Sequence, residues 1–398
     1  MRRSDRPCLA VVCAALTLCL SCRSRPAKTG KDAEKAPPYL QEPVRLAPFH
    51  VRPTVGAGQK EGGASEAVEI YDAAALFSRA SKEYRHGRYA AAAEIYLQTA
   101  REFPISSYAS AALYNGALAF ERVGRFDRAA YTYKLLMEAY PRSEDVTDAL
   151  FRLLGCQEAL EEWEAAVRTA NELLFERSDL TDAERVECLA RKGAAAWAAG
   201  DREEAEAALK EAVYRFTAHK EPAAGSALYY AAMARFKMGE ILEEQMRSVF
   251  LPAEENALKD ALEEKCQRLL DAQTEYTDAI RLGEAHWAAA SAYRIGKLYR
   301  NLWEDMVAAP PPSDLGEEER EIYVEVLKER IQVLLEKAVR QWERVVKMGK
   351  RLELDDEWVE TAEAEIREVR RRMLLQRQGV ESGGSADRGE SSSVSGAP

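Results

Sequence analysis

Gly87-Arg88-Tyr89-Ala90-Ala91-Ala92-Ala93-Glu94-Ile95-Tyr96, followed by Phe103-Pro104, returns as Gly124-Arg125-Phe126-Asp127-Arg128-Ala129-Ala130-Tyr131-Thr132-Tyr133, followed by Tyr140-Pro141. Each matched position moves by 37 residues. A third copy at the same shift keeps Trp163 and Ala166, but Glu161 stands where glycine stood and Ser178 where proline closed the unit. Gly200-Asp201-Arg202 with Ala205 makes a fourth copy, displaced by 39. A period of this size marks a helical pair that cannot bury its apolar face alone and must stack on its neighbour. Glycine ends the first helix, the aromatic two residues later wedges between the helices, and alanine lets them approach closely. Proline then stops the second helix.

This pattern resembles the tetratricopeptide family, whose usual period is about 34 residues. The additional residues fit the longer links Pro104-Ile105-Ser106-Ser107-Tyr108 and Pro141-Arg142-Ser143-Glu144-Asp145. That P-x-S form is similar to envelope members of the family, such as the lipoprotein that helps insert outer-membrane β-barrels and the cell-division coordinator of the Tol system. Downstream, Met238-Gly239-x-x-Leu242 and Ile295-Gly296-x-x-Tyr299 keep the spacing of a first repeat helix. Longer helices are expected at Ala227–Arg247, Ala253–Arg281, Ala285–Met306, Glu317–Lys350 and Glu357–Gln376, with Pro310-Pro311-Pro312 breaking the chain between two of them. Thr181-Asp182-Ala183-Glu184 spells a capping box. The stretch from Ala285-His286-Trp287 through Tyr299 to Trp342 also resembles repeat lipoproteins of gliding and predatory proteobacteria. The resemblance implies an all-α, tetratricopeptide-like helix-turn-helix superhelix, an α-solenoid with longer divergent helices toward the C-terminus.

Two further regions flank these helices. Arg2, Arg3 and Arg6 precede an apolar run from Cys8 to Leu20, the charged and hydrophobic parts of a secretory signal. The run is too short for a permanent span and closes on Leu18-Cys19-Leu20-Ser21-Cys22, which resembles a lipobox with Cys22 as the lipidated residue. An ordinary cleaved signal peptide and an unprocessed anchor are the alternatives, and both keep the chain exported. The expected organisation is a signal peptide over 1–22, a proline-rich tether over 23–65, tetratricopeptide repeats over 66–220, divergent repeat-like helices over 221–378 and a disordered tail over 379–398. By analogy with lipoprotein sorting in enteric bacteria, Arg23 and Ser24 after the cysteine favour the periplasmic side of the outer membrane, with the soluble periplasm as the alternative.

Composition narrows the function. The net charge of −11 argues against nucleic acid as a partner. Of seven cysteines, Cys156, Cys188 and Cys266 lie in the body, without a C-x-x-C pair or neighbouring histidines, and read as small buried hydrophobes. The four histidines, His50, His86, His219 and His286, have no partner at metal-ligand spacing. The sequence holds no His-Glu-x-x-His, no Gly-x-Ser-x-Gly and no phosphate-binding loop. Acidic runs such as Glu240-Glu243-Glu244 read as solvated helix faces. The expectation is therefore a protein that is not an enzyme and carries no cofactor or metal.

Because first helices line the concave surface in the family, the resemblance places Phe77, Tyr114 and Phe151 at one position of three successive repeats. Ser78, Asn115 and Arg152 stand beside them, with Arg85 and Arg122 further along. An aromatic ladder flanked by amides and guanidiniums can grip an extended peptide or an amphipathic helix. The competing reading is that these aromatics pack one repeat on the next. The expected function is a lipid-anchored protein-interaction scaffold of the cell envelope, in an assembly or motility complex. Its partners would be envelope proteins in the groove and the membrane through Cys22. The alternative is a cell-wall enzyme or its regulator on the same scaffold, which a pocket with a buried, pKa-shifted glutamate would favour.

Overall fold

The computed structural model describes residues 72–386, apart from 179, 219–224, 313–314 and 354–355, with side chains as far as residue 375. Cys22, the signal, the tether and the end of the tail lie outside the described residues. Those described form thirteen helices and no strand. They divide into two compact units, the first ending at Ala227 and the second starting at Leu228.

The first unit holds four helical hairpins: α1 (Ala73–Arg85) with α2 (Tyr89–Glu102), α3 (Ala109–Arg122) with α4 (Phe126–Ala139), α5 (Val146–Ala159) with α6 (Trp163–Glu176), and α7 (Asp182–Ala198) with α8 (Arg202–Ala218). Each helix packs on the next, the tetratricopeptide-like layout. Every hairpin turns in the same way. Gly87, Gly124 and Gly200 have φ of 76°, 72° and 88°, and Glu161 takes the same left-handed conformation at 58°. The next residue closes a bond across the helix end: Arg88 N to Glu83 O at 3.0 Å, and Arg125 to Phe120, Glu162 to Gln157 and Asp201 to Ala196 at 2.9 Å each. The alanines of the repeat, Ala92, Ala129, Ala166 and Ala205, are all fully buried, so a larger side chain there would force the helices apart. Thr181 and Glu184 make the reciprocal capping box that the sequence spells.

The second unit holds α9 (Ser226–Ser248), α10 (Glu255–Leu282), α11 (Ala285–Ala308), α12 (Glu317–Leu352) and α13 (Glu357–Ala386). Gly239 of α9 and Gly296 of α11 are the points of closest approach. A Cβ on Gly239 would stand 2.7 Å from Tyr276 Cδ1, and one on Gly296 would stand 2.7 Å from Trp342 Cε2. Each glycine therefore seats a large ring of the following helix, and the two Met/Ile-Gly-x-x-Leu/Tyr stretches open the pairs α9/α10 and α11/α12. Trp287, Tyr293 and Trp303 are buried. One boundary differs: α13 continues to Ala386, past the start of the stretch read as a disordered tail.

Candidate interaction face

Reading the first helices in register exposes a second ladder inside the repeat. Tyr84, Glu121 and Glu158 are 37 residues apart and occupy one position of α1, α3 and α5. Asn115, Arg152 and Arg191 occupy another in α3, α5 and α7, with shifts of 37 and 39. The structure joins the two rows across repeats. Arg152 Nη1 donates to Glu121 Oε2 at 3.3 Å, while Arg191 grips Glu158 with Nε at 3.0 Å and Nη2 at 2.8 Å. Arg191 Nη1 also reaches Phe151 O at 3.3 Å and Glu187 at 3.1 Å. Arginine suits this position because its planar fork can serve several acceptors on two helices at once.

The candidate groove residues fall into this network. Phe77 is buried with its ring 5.3 Å from both Tyr96 and Tyr108. The hydroxyl of Tyr114 donates to Asp148 while its ring lies 5.9 Å from Tyr133. Asn115 is wholly buried, and Arg152 is 5% exposed. Phe151 is half-buried and Arg122 exposed. The face is thus brought together as the repeat spacing implies, but Phe77, Tyr114, Asn115 and Arg152 are corrected from surface groups to inter-repeat packing. A docked partner would meet Ser78, Arg85, Arg122, Asp148 and the edge of Phe151 instead. Glu121, Glu158 and Arg191 are not legible singly, because an isolated acid or arginine on a helix carries no signal. Only the polar positions read at the repeat period reveal them.

Burial sets the electrostatics. It pushes the Glu121 carboxyl up, against the opposing pull of the Tyr133 hydroxyl, which donates to it at 2.6 Å, and of Arg152. Tyr114 and Cys156 rise chiefly by burial, and Cys188 is pushed up to about 12 for the same reason. Glu121 is a mostly buried, shifted glutamate, close to the feature that would favour an enzyme. However, its oxygens are taken up by Tyr133 and Arg152, and its side chain is 17% exposed.

The second unit repeats the device with other residues. Glu243 of α9 accepts from Tyr276 at 2.9 Å and from Asn301 at 3.3 Å, and lies 3.6 Å from Arg294. Arg294 also pairs with Glu240, and Arg300 of α11 pairs with Glu365 of α13. Lys265 is 1% exposed, donates to Met246 O and Val249 O at 2.8 and 2.9 Å, and so closes the end of α9. Lys297, half-buried on α11, has its ammonium held below the usual range by desolvation and by Arg294.

Among the described residues, no group of three or more His, Cys, Asp or Glu side chains is placed to hold a metal ion. No described helix is long and apolar enough to cross a membrane. No family model matches the sequence, and no curated protein does. Solved structures are similar at low identity. A tetratricopeptide repeat protein from Parabacteroides merdae is 15% identical over 75% of this chain and 98% of its own, with a TM-score of 0.35. A TPR repeats protein from Bacteroides fragilis is 13% identical over 66% of this chain and 98% of its own, with a TM-score of 0.29. A circular tandem repeat protein with novel repeat topology is 14% identical over 78% of each chain, with a TM-score of 0.19.

Proposed function

We propose that this chain is a non-enzymatic scaffold of the bacterial cell envelope, which recruits an envelope protein on the first-helix face of its repeats and is held to the outer membrane by a lipid on Cys22. The observation that carries the reading is the row of first helices, clipped to one another by Arg152–Glu121 and Arg191–Glu158. A rigid row keeps its outward groups at fixed spacing, so an extended peptide or a helix meets a surface that loses little entropy on binding. Residues 23–65 would give the body reach from the membrane.

The reading is tested by in-cell crosslinking and affinity purification of the full-length protein beside an Arg122→Glu/Phe151→Ala variant. Defined envelope proteins recovered with the first and lost with the second support it. Recovery that is identical for the two removes this face from the function. Palmitate labelling of the wild type and of Cys22→Ser tests the anchor, and equal labelling would exclude it.

A further inference from the structure

Helix α12 is 36 residues long against 24 for α11, and its first ten residues hold no buried side chain; burial begins at Leu327. Tyr323 already packs against the core, so at 1.5 Å per residue the fully exposed end, residues 317–322, is an arm of about 9 Å. The exposed face that starts on this arm and runs on along the helix is acidic. Glu318, Glu321, Glu325 and, one turn further on, Glu329 recur three or four residues apart along one exposed face, and Ile322 is 58% exposed beside them. Among the described residues none of these four carboxylates has an ion-pair or hydrogen-bond partner.

The same face of the same helix changes sign in its second half. Arg340, Lys347 and Lys350 are exposed there. Arg340 lies 3.9 Å from Glu336, while Lys347 and Lys350, with Arg367 and Arg370 of α13, border an open groove of about 530 Å³ along Val346 and Ile366. The groove's two acids are already engaged: Glu343 pairs with Arg370, and Glu363 lies 3.8 Å from Lys350 and 4.0 Å from Arg367. Lys347 has no ion-pair partner among the described residues. Compensation of the helix dipole accounts for charges in the first and last turn. It does not account for acids reaching Glu329 or for a basic groove shared with another helix.

We propose that α12 pairs with α12 of a second copy of this chain, antiparallel, the acidic arm of each lying in the basic α12/α13 groove of the other. The arrangement is isologous, so every arm-groove contact is made twice. Ile322 supplies an apolar contact near the groove floor, and the charges fix the direction of pairing, because a parallel pair would set acid against acid and base against base.

The test uses the full-length protein in detergent and reads mass by sedimentation equilibrium. Wild type is expected to be a dimer that weakens as salt rises. Glu321→Lys/Glu325→Lys and Lys347→Glu/Lys350→Glu should each weaken dimerisation at least tenfold. Mixing the two reversed proteins should restore it, since each then offers what the other lacks. Far-UV circular dichroism unchanged from wild type shows that the substitutions at these exposed sites left the helices intact. A monomeric wild type, a dimer indifferent to either reversal, or reversed proteins that fail to pair when mixed would each overturn the proposal. The mass measurement does not involve Arg122 or Phe151, so it stands apart from the test of the first-helix face.

Discussion

Glu161 shows how far one residue can depart from a repeat that is otherwise kept. Its turn has the same left-handed backbone and the same closing bonds as the three glycine turns. A side chain in that conformation costs about 1 kcal/mol that glycine avoids. Glu161→Gly is therefore expected to raise the unfolding free energy by about 1 kcal/mol, less the entropy that glycine adds to the unfolded chain, measured by urea titration. Gly296 presents the opposite case. Its missing Cβ is where the Trp342 ring sits, and the indole Nε1 donates to Tyr293 O at 3.1 Å. Gly296→Ala must displace a wholly buried ring, with an expected loss of about 2 kcal/mol. The accompanying shift in tryptophan fluorescence would distinguish displacement of the ring from a backbone effect.

Helices are the scale at which the sequence is easiest to read and the interaction face hardest. The period gave the hairpins, their turns and the buried alanines because each depends on local chemistry repeated in register. The long helices after residue 220 lie within a few residues of the expected bounds at most ends. The groove was less legible, since periodicity says that Tyr114 and Arg152 occupy corresponding positions but not whether neighbouring helices cover them. Coverage is decided by partners such as Glu121 and Asp148 on other helices. The Glu121–Arg152 pair can be tested directly. Arg152→Ala leaves a carboxylate in a mostly buried setting and should cost about 3 kcal/mol, whereas Glu121→Gln/Arg152→Met should cost clearly less than the two single changes combined. The sign of the pH dependence follows from the raised carboxyl of Glu121. The folded state holds its proton to higher pH than the unfolded chain, so this group's contribution is fully present below the unfolded pKa and is lost as pH rises through the folded one. Relative to Glu121→Gln, the wild type should therefore gain stability as pH falls from neutral into that window, followed by thermal melting across pH.

At the scale of the whole molecule, two units with separate cores use one design rule. In both, aromatic and alanine contacts close the hairpins, and paired charges join successive first helices. The three thiols of the body belong to those interiors. Cys156 and Cys188 lie in the first unit at 1% and 0% exposure, and Cys266 in the second at 4%. All three are free. Burial holds the Cys188 thiol up to about 12 and pushes Cys156 up as well, so neither forms an appreciable amount of the reactive thiolate near neutral pH. Packing keeps these thiols from oxidants and from one another. Brief maleimide treatment of the native protein, followed by peptide mapping, should leave Cys156, Cys188 and Cys266 unmodified, and the same treatment in denaturant should label all three. Labelling of Cys266 alone in the native state would mean that the second unit opens more readily than the first. Labelling of Cys156 would mean that the Glu121–Arg152 clip opens as well, and that the first-helix row is not rigid enough to hold a partner in the way proposed.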